Sequence, residues 1–439
     1  MENKKVYDMI GVGIGPFNLG MAALLDNKEE IEGIFFEESS SFNWHPGMLI
    51  EGADLQVPFL ADLVTFADPT SKYSFINYLH KHNRLYTFYF FNRFDIPRRE
   101  YNDYAQWVAG QLDNCRFNKR VVDVTDHVTT SSYYEVTVED QQTKVLETYL
   151  AKHLVIGTGS SPSIPAEFEG FPQEDVLHTS AYQYCVDTFT EADKVLIAGS
   201  GQSAAEVFLD QLQRQTQRKP MLYWLTRSPG FFQLEAGKLG QEVFSPDYID
   251  YFHKLSYETR QRELPHLTQL RNGIEEKTLH KIYDLLYHHT TQIRELPVLI
   301  QANVELKSIE KGKDGYHVSC YQLQEDMSFT ITVDKVVLAT GYQPHIPNWL
   351  HKFSDLIEWE DDAHFTVSRD YKLQFKEERS HHIFTLTNLE HSHGAGATNL
   401  ALAVERNVTI INRIAGKTLY PEQRHTVFQT FSHDVHNDY

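Results

Sequence analysis

Near the amino terminus Val6-Tyr7-Asp8-Met9-Ile10 runs into Gly11-Val12-Gly13-Ile14-Gly15-Pro16 and then Asn18-Leu19-Gly20-Met21-Ala22-Ala23-Leu24-Leu25. Few architectures take an apolar strand, a glycine turn and an apolar helix in so short a span. Gly11 and Gly13 let the backbone turn sharply and approach a ligand. The helix start behind them offers free N–H groups and a positive dipole end to a pyrophosphate. The usual third glycine is replaced by Pro16, which in a first helical turn forfeits no needed hydrogen bond. The next strand, Ile34-Phe35-Phe36, ends in Glu37-Glu38, a little beyond the ~20 residues at which a carboxylate can hold a ribose hydroxyl. This is a dinucleotide cradle and predicts an α/β fold of Rossmann type.

A second cradle follows. Lys194-Val195-Leu196-Ile197-Ala198 opens into Gly199-Ser200-Gly201-Gln202-Ser203-Ala204, a complete GxGxxA in which Ala204 is the small residue for close helix–strand packing. Its second strand, Leu222 to Thr226, ends in Arg227-Ser228 with no acid. A guanidinium there suits a 2′-phosphate and favours NADP over NAD. Two further apolar strands end in Gly157-Thr158-Gly159 and in Thr340-Gly341-Tyr342, and a Gly-rich stretch, Gly394 to Gly396, leads through Thr398, Asn399 and Leu400 into a helix over Ala401 to Ile414. Each is a further close approach of backbone to ligand. From Phe232 to His289 the pattern turns helical and polar, and the aromatic-rich stretch from Tyr73 to Trp107 is expected to form helices packed into the core.

Composition narrows the partners. A net charge of −20 over 439 residues disfavours nucleic acid and anionic membranes, both of which want a basic face, and fits a cationic small substrate. Cys115, Cys185 and Cys320 are far apart and never CxxC, so neither a disulfide framework nor a zinc ribbon follows. Twenty-two histidines include no HExxH and no Cys/His pairing at ligand spacing, so no metal is expected. The apolar run behind Lys4 and Lys5 lacks a cleavage site for a signal peptide, and no other apolar stretch reaches the ~18 residues of a membrane span. A cytoplasmic protein is expected.

A flavin cradle interrupted by an NADP cradle describes a two-dinucleotide flavoprotein. Disulfide reductases of that class need a redox CxxC, which is absent, leaving oxygen chemistry on a reduced flavin. The organisation reads as residues 1–165, FAD-binding, first part; 166–232, NADPH-binding, first part; 233–295, helical substrate-side insertion; 296–333, NADPH-binding, second part; and 334–439, FAD-binding, second part.

The combination of Gly11 to Leu19, Trp44-His45-Pro46-Gly47-Met48, Leu55-Gln56 with Asp62-Leu63-Val64, Asp68-Pro69-Thr70-Ser71, Gly201-Gln202-Ser203-Ala204-Ala205-Glu206 and Ala339-Thr340-Gly341-Tyr342 closely resembles the lysine/ornithine N-monooxygenase family, the flavin-dependent N-hydroxylases of siderophore biosynthesis. The resemblance spans nearly the whole chain. It implies that NADPH reduces FAD, that O2 gives a C4a-hydroperoxyflavin, and that an uncharged primary amine attacks it to give a hydroxylamine. It also implies a homo-oligomer, dimer or tetramer. By family position Trp44, His45 and Gln56 lie by the flavin ring, Glu37 on the ribose, and Ser203 and Arg227 on NADP. Gly11, Gly13, Gly15, Pro16, Gly157, Gly159, Gly199, Gly201, Gln202, Thr340, Gly341, Tyr342, Thr398 and Leu400 complete the cofactor contacts. No side chain is assigned a proton-transfer role, because burial alone favours a neutral amine.

One departure bears on substrate. Family members acting on amino acids carry a Lys in a run similar to Phe59-Leu60-Ala61-Asp62-Leu63, where it pairs with the substrate carboxylate. This chain has Ala61. A buried carboxylate without its cation costs several kcal/mol, whereas a diamine has no carboxylate, so putrescine or cadaverine is favoured over L-lysine or L-ornithine. Lys72 or Lys238 could replace the missing cation. Ala61, Asn272, Asn303 and Asn399 are the expected substrate-side positions. A non-catalytic dinucleotide-binding regulator would carry eroded fingerprints, and both here are intact.

Overall fold

The computed structural model describes residues 5–128, 132–215, 220–291 and 295–433. Two sheets carry the two cradles, the first mixed and the second wholly parallel. In the first, the parallel strands are ordered Cys115–Arg116, Gly33–Phe36, Val6–Val12 and Leu146–Ile156, with Ile383–Thr385 also parallel against the last. The long strand Leu146–Ile156 then continues an antiparallel meander with Tyr133–Asp140 and Lys119–His127. The second sheet is wholly parallel, in the order Val298–Gln301, Met221–Leu225, Lys194–Ala198, Lys335–Leu338 and Val176–His178.

Central strands of both sheets are near-continuous apolar runs, as a sheet covered on both faces requires. Met9, Ile10, Leu154 and Val155 are fully buried in one, and Val195, Leu196 and Ile197 in the other. A three-stranded antiparallel sheet, Val304–Lys311, Tyr316–Gln322 and Met327–Val333, flanks the second. The chain leaves the first body along Ser160–Pro162 and returns along Tyr342–Pro344, and these two segments pair with each other. Among the described residues no helix is long and apolar enough to cross a membrane.

Two expectations need correction. Lys335–Leu338, placed above in a first-domain stretch beginning at 334, is a central strand of the second sheet, so the return to the first body comes after it. The aromatic stretch from Tyr73 to Trp107 is helical, but not all of it is core. Tyr78, Tyr101 and Tyr104 are buried, whereas the helix Leu85–Phe91 buries no residue, and Tyr86 and Phe90 are 81% and 77% exposed. Consecutive residues on a helix point about 100° apart. A Leu-Tyr-Thr-Phe-Tyr-Phe-Phe run therefore surrounds its helix, and only Leu85 and Phe88 reach the core.

Between the cradles lies the helical insertion, with helices Pro246–His253, Tyr257–Glu263 and Glu276–Thr290. Ile282 of the last is buried against the second core, while Tyr248 and Phe252 pack on Ala395 at the first body.

Candidate functional site

In the first cradle the turn is fastened from several sides. Gly13 N–H donates to Phe36 O and Gly157 N–H to Val12 O, each at 2.8 Å. Gly13 has φ +83°, and a Cβ there would stand 2.7 Å from the Gly157 carbonyl oxygen, so both its conformation and its neighbour demand glycine. The fully buried Asn18 donates from Nδ2 to Gly13 O at 2.7 Å. Gly15 caps the helix Pro16–Leu25, with proline in its first turn, and among the described residues nothing lies within 4 Å of where its Cβ would be. That open face is where a phosphate can approach. Glu37 at the end of the second strand accepts Ile14 N–H (2.8 Å) and Ser39 N–H (2.9 Å), so it braces the turn and has lone pairs left for a ribose.

A cavity of about 1530 Å³ extends from this cradle, larger than a pocket for one drug-sized ligand. Of the expected cofactor residues, Gly13, Gly15, Pro16, Glu37, Trp44, His45, Gln56, Gly157, Gly159, Tyr342, Thr398 and Leu400 line it. Gly11 lies beneath, inside the strand Val6–Val12, where a side chain would run into the Phe35 ring. This corrects the expected turn at Gly11 and Gly13: the turn runs through Gly13 and Gly15, and the third fingerprint position falls on Asn18, not Pro16. Thr340 and Gly341 do not line it: Thr340 Oγ1 donates to Ser163 O at 2.5 Å and Gly341 O accepts Ser163 N–H at 2.9 Å, holding the crossing between the two bodies. A strongly bent turn, an open capping glycine, a carboxylate and the start of the helix Leu400–Ala415 together fit a dinucleotide bearing a planar ring.

The wall opposite that cradle is aromatic. His45 adopts left-handed φ +48°, and its ring stands edge-on to Trp44 (4.8 Å) and Tyr342 (5.5 Å). The ring opens onto the cavity but is walled in by protein; this desolvation, with the charge of Arg98 adding to it, lowers its pKa to about 4. It is therefore neutral at physiological pH. Gly47 of the same loop packs its backbone directly on the Ser180 carbonyl, so a side chain there would push the bodies apart.

The second cradle repeats the design elsewhere. Gly199 N–H donates to Leu225 O and Ala339 N–H to Ala198 O, each at 2.8 Å. Gly201 caps the helix Gln202–Arg214, again with nothing among the described residues within 4 Å of a Cβ position. Gly199, Gly201, Gln202, Ser203 and Arg227 lie outside the large cavity. Gln202 turns inward: its Nε2 donates to Glu206 and Thr278, and its Oε1 accepts Glu275 N–H. Its side chain thus secures the insertion helix, which the fingerprint does not reveal. Arg227 is exposed at its strand end, free to meet a phosphate.

The substrate-side expectations divide. Ala61 is only 2% exposed and, like Asn272, does not line the cavity, although Arg271 beside Asn272 does. Asn303, at left-handed φ +57°, joins the second sheet to the antiparallel one and also stays outside. Asn399 lines the cavity, but its Oδ1 accepts Ala401 N–H at 2.9 Å as a helix cap. The two candidate replacement cations are elsewhere: Lys72 pairs with Asp26 at 2.9 Å, and Lys238 is not in the wall.

Three features went unread in the sequence. Arg98 lines the cavity and grips Glu206 of the second cradle helix with two bonds, at 2.8 and 2.7 Å, while donating to Met48 O at 2.8 Å. Arg271 pairs with Glu390 at the insertion end. Gln261 joins them in the wall. Only Glu206 carried a signal, as the last residue of its motif.

Comparison with known proteins agrees with this geometry. The model of the L-lysine 6-monooxygenase/L-ornithine 5-monooxygenase family matches residues 5–344. A putrescine N-hydroxylase of Shewanella oneidensis is 38% identical over 432 residues, covering 98% of this chain and 85% of that protein. Among solved structures, the FAD-bound cadaverine monooxygenase of desferrioxamine biosynthesis from Erwinia amylovora superposes with a TM-score of 0.92 at 36% identity, over 98% of this chain and 99% of the other. An ornithine N-hydroxylase of Kutzneria with reduced FAD, NADP+ and L-ornithine gives 0.87 at 25% identity, over 93% and 99%. The chain belongs to the L-lysine 6-monooxygenase/L-ornithine 5-monooxygenase family.

Proposed function

We propose that this protein N-hydroxylates one amine of an aliphatic diamine, putrescine or cadaverine, using FAD, NADPH and O2, and so makes the N-hydroxydiamine of a hydroxamate siderophore. One observation carries the choice of substrate. Every Lys or Arg among the described residues lining the cavity is already held by an acid of the chain: Arg98 by Glu206, Lys119 by Asp140 and Glu147, Arg120 by Glu38, and Arg271 by Glu390. A substrate carboxylate would have to compete with one of these acids for its cation, with Ala61 in place of the family's lysine. A diamine brings no carboxylate.

Bound FAD, reduced by NADPH, supplies the chemistry that places one oxygen atom of O2 on nitrogen. The chain's residues do the rest. The open glycine and helix start of each cradle seat the phosphates, and Glu37 holds the ribose while bracing the turn. Trp44, His45 and Tyr342 form an aromatic wall of the cavity and would line the side of the flavin ring. His45, kept neutral, places no positive charge beside an amine that must itself be neutral to react.

The protein acts in the cytoplasm as a homo-oligomer, dimer or tetramer. The exposed Tyr86, Tyr89, Phe90 and Phe94 support this reading, since they offer on the order of 500 Å² of aromatic surface, a large share of the ~800 Å² that each partner contributes to a stable interface. A second copy covering that face predicts that Phe90→Asp lowers the mass seen by light scattering. For the activity, hydroxylamine formation is measured with FAD-loaded protein against putrescine, cadaverine, L-lysine and L-ornithine separately. Product from the diamines with the amino acids inert is expected. NADPH oxidation yielding only hydrogen peroxide with all four would overturn the assignment.

A further inference from the structure

Three acids among the described residues line the cavity: Glu37, Glu38 and Glu390. The first two follow the second strand of the FAD cradle and are engaged there, Glu37 with two backbone amides and Glu38 with Arg120. Glu390 stands apart. It begins the short helix Glu390–His393 and shares the wall with Gln261 and Leu264 of the insertion. Arg271 reaches both of its oxygens, Nη1 donating to Oε2 at 2.7 Å and Nη2 to Oε1. The pair is half-open, with the Arg271 side chain 24% and the Glu390 side chain 41% exposed.

Two residues of the same wall carry a buried polar atom with no hydrogen-bond partner among the described residues: Gln261 at Nε2 and His391 at Nδ1. The other ring nitrogen of His391 lies 2.9 Å from Phe365 O, so the N–H donates there and Nδ1 keeps a lone pair. Burial holds the His391 pKa down to about 4, which leaves this ring neutral and no rival to a cation. The insertion end of the cavity thus gathers a carboxylate, the neutral His391, Gln261 and the apolar Leu264 and Leu389.

We propose that Glu390 receives the unreactive ammonium of the substrate, and that Arg271 is a displaceable stand-in that neutralises Glu390 until substrate arrives. This rests on the diamine reading and adds the residue that distinguishes a diamine from a monoamine. An ammonium beside Glu390 repels the Arg271 guanidinium, which swings towards solvent through the side it already exposes. Leu264 and Leu389 then line the path of the methylene chain. An α-amino acid would instead need both members of the pair, Glu390 for its ammonium and Arg271 for its carboxylate.

The test compares holoenzyme variants with putrescine and with n-pentylamine, which lacks the second ammonium. Glu390→Gln is expected to raise the KM for putrescine ~10- to 100-fold with kcat changed less than about threefold, while the KM for n-pentylamine stays within about twofold. FAD content, melting temperature and anaerobic flavin reduction by NADPH should stay at wild-type values. Glu390→Asp restores part of the loss. Arg271→Gln leaves the putrescine KM unchanged or lowers it. Equal losses for both amines in Glu390→Gln, or an Arg271→Gln variant as impaired with putrescine as Glu390→Gln, would overturn the inference and make the pair structural. If the wild-type protein hydroxylates L-lysine through Arg271 and no diamine, the proposed function fails with it. If the wild type hydroxylates putrescine and Glu390→Gln keeps its KM, only the inference fails.

Discussion

The two cradles share one local design and differ in what surrounds them. In each, an apolar strand turns on a glycine at positive φ, Gly13 or Gly199, and a second glycine, Gly15 or Gly201, caps the helix with open space where a side chain would be. The first cradle lies in the wall of a cavity of about 1530 Å³ closed by a carboxylate, an aromatic wall and a second helix start. The second lies outside it, with the exposed Arg227 at its strand end. A many-sided site in a cavity suits a cofactor that stays, and a cradle outside it with an exposed arginine suits a nucleotide that must come and go. A shared turn design does not imply a shared residence time.

The largest effect expected from that contrast is at Gly13. Gly13→Val meets both positive φ and a carbonyl oxygen at 2.7 Å, so the protein should purify without FAD and without activity, read from flavin absorbance per chain. Gly201→Ala in the second cradle adds a methyl to open space. It should keep full FAD content and lose ~10-fold in NADPH affinity. Loss of FAD from both variants would erase the distinction.

Next comes the bridge between the bodies. Arg98→Ala leaves Glu206, whose side chain is 4% exposed, without its cation, at a cost of ~3–5 kcal/mol by urea denaturation. Flavin reduction by NADPH should slow as the second cradle loses its register with the first. Unchanged stability would mean that the bodies are held together elsewhere.

A smaller effect is expected at the 2′-phosphate. Arg227→Ala should raise the KM for NADPH ~10-fold and leave that for NADH unchanged; equal changes for both would remove Arg227 from the phosphate.

The smallest concerns acid. The folded pKa of His391 lies below that of an unfolded histidine, at about 4, through burial. The unfolded chain therefore takes up the proton first as pH falls. The stabilising contribution is complete above ~6.5 and is lost progressively between ~6.5 and ~4. Denaturation at pH 7 and pH 5 should show this loss, and His391→Asn should reduce it.

How much of this was legible follows from how local each feature is. Both cradles could be read because strand, turn and helix are adjacent and glycine is demanded by φ and contact within a few residues. Arg98 with Glu206, 108 residues apart, and Arg271 with Glu390, 119 apart, could not be paired from the sequence, because nothing in the neighbourhood of an arginine names its distant acid. Even Glu206, marked by its motif, named no partner. The helix Leu85–Phe91 misled for a related reason: apolar residues all around a helix report burial by something, without saying whether that is the chain's own core. Gln202 and Asn399 were read from motif position as ligand contacts, yet both use side-chain atoms to secure helices.

The most direct test of the central claim is a competition. FAD-loaded protein, NADPH and oxygen are given putrescine and L-lysine at equal concentration in one vessel, and the hydroxylated products are weighed by mass spectrometry. N-hydroxyputrescine is expected in large excess. N6-hydroxylysine as the main product would contradict it, and would show that a cation of the wall leaves its acid to hold the substrate carboxylate.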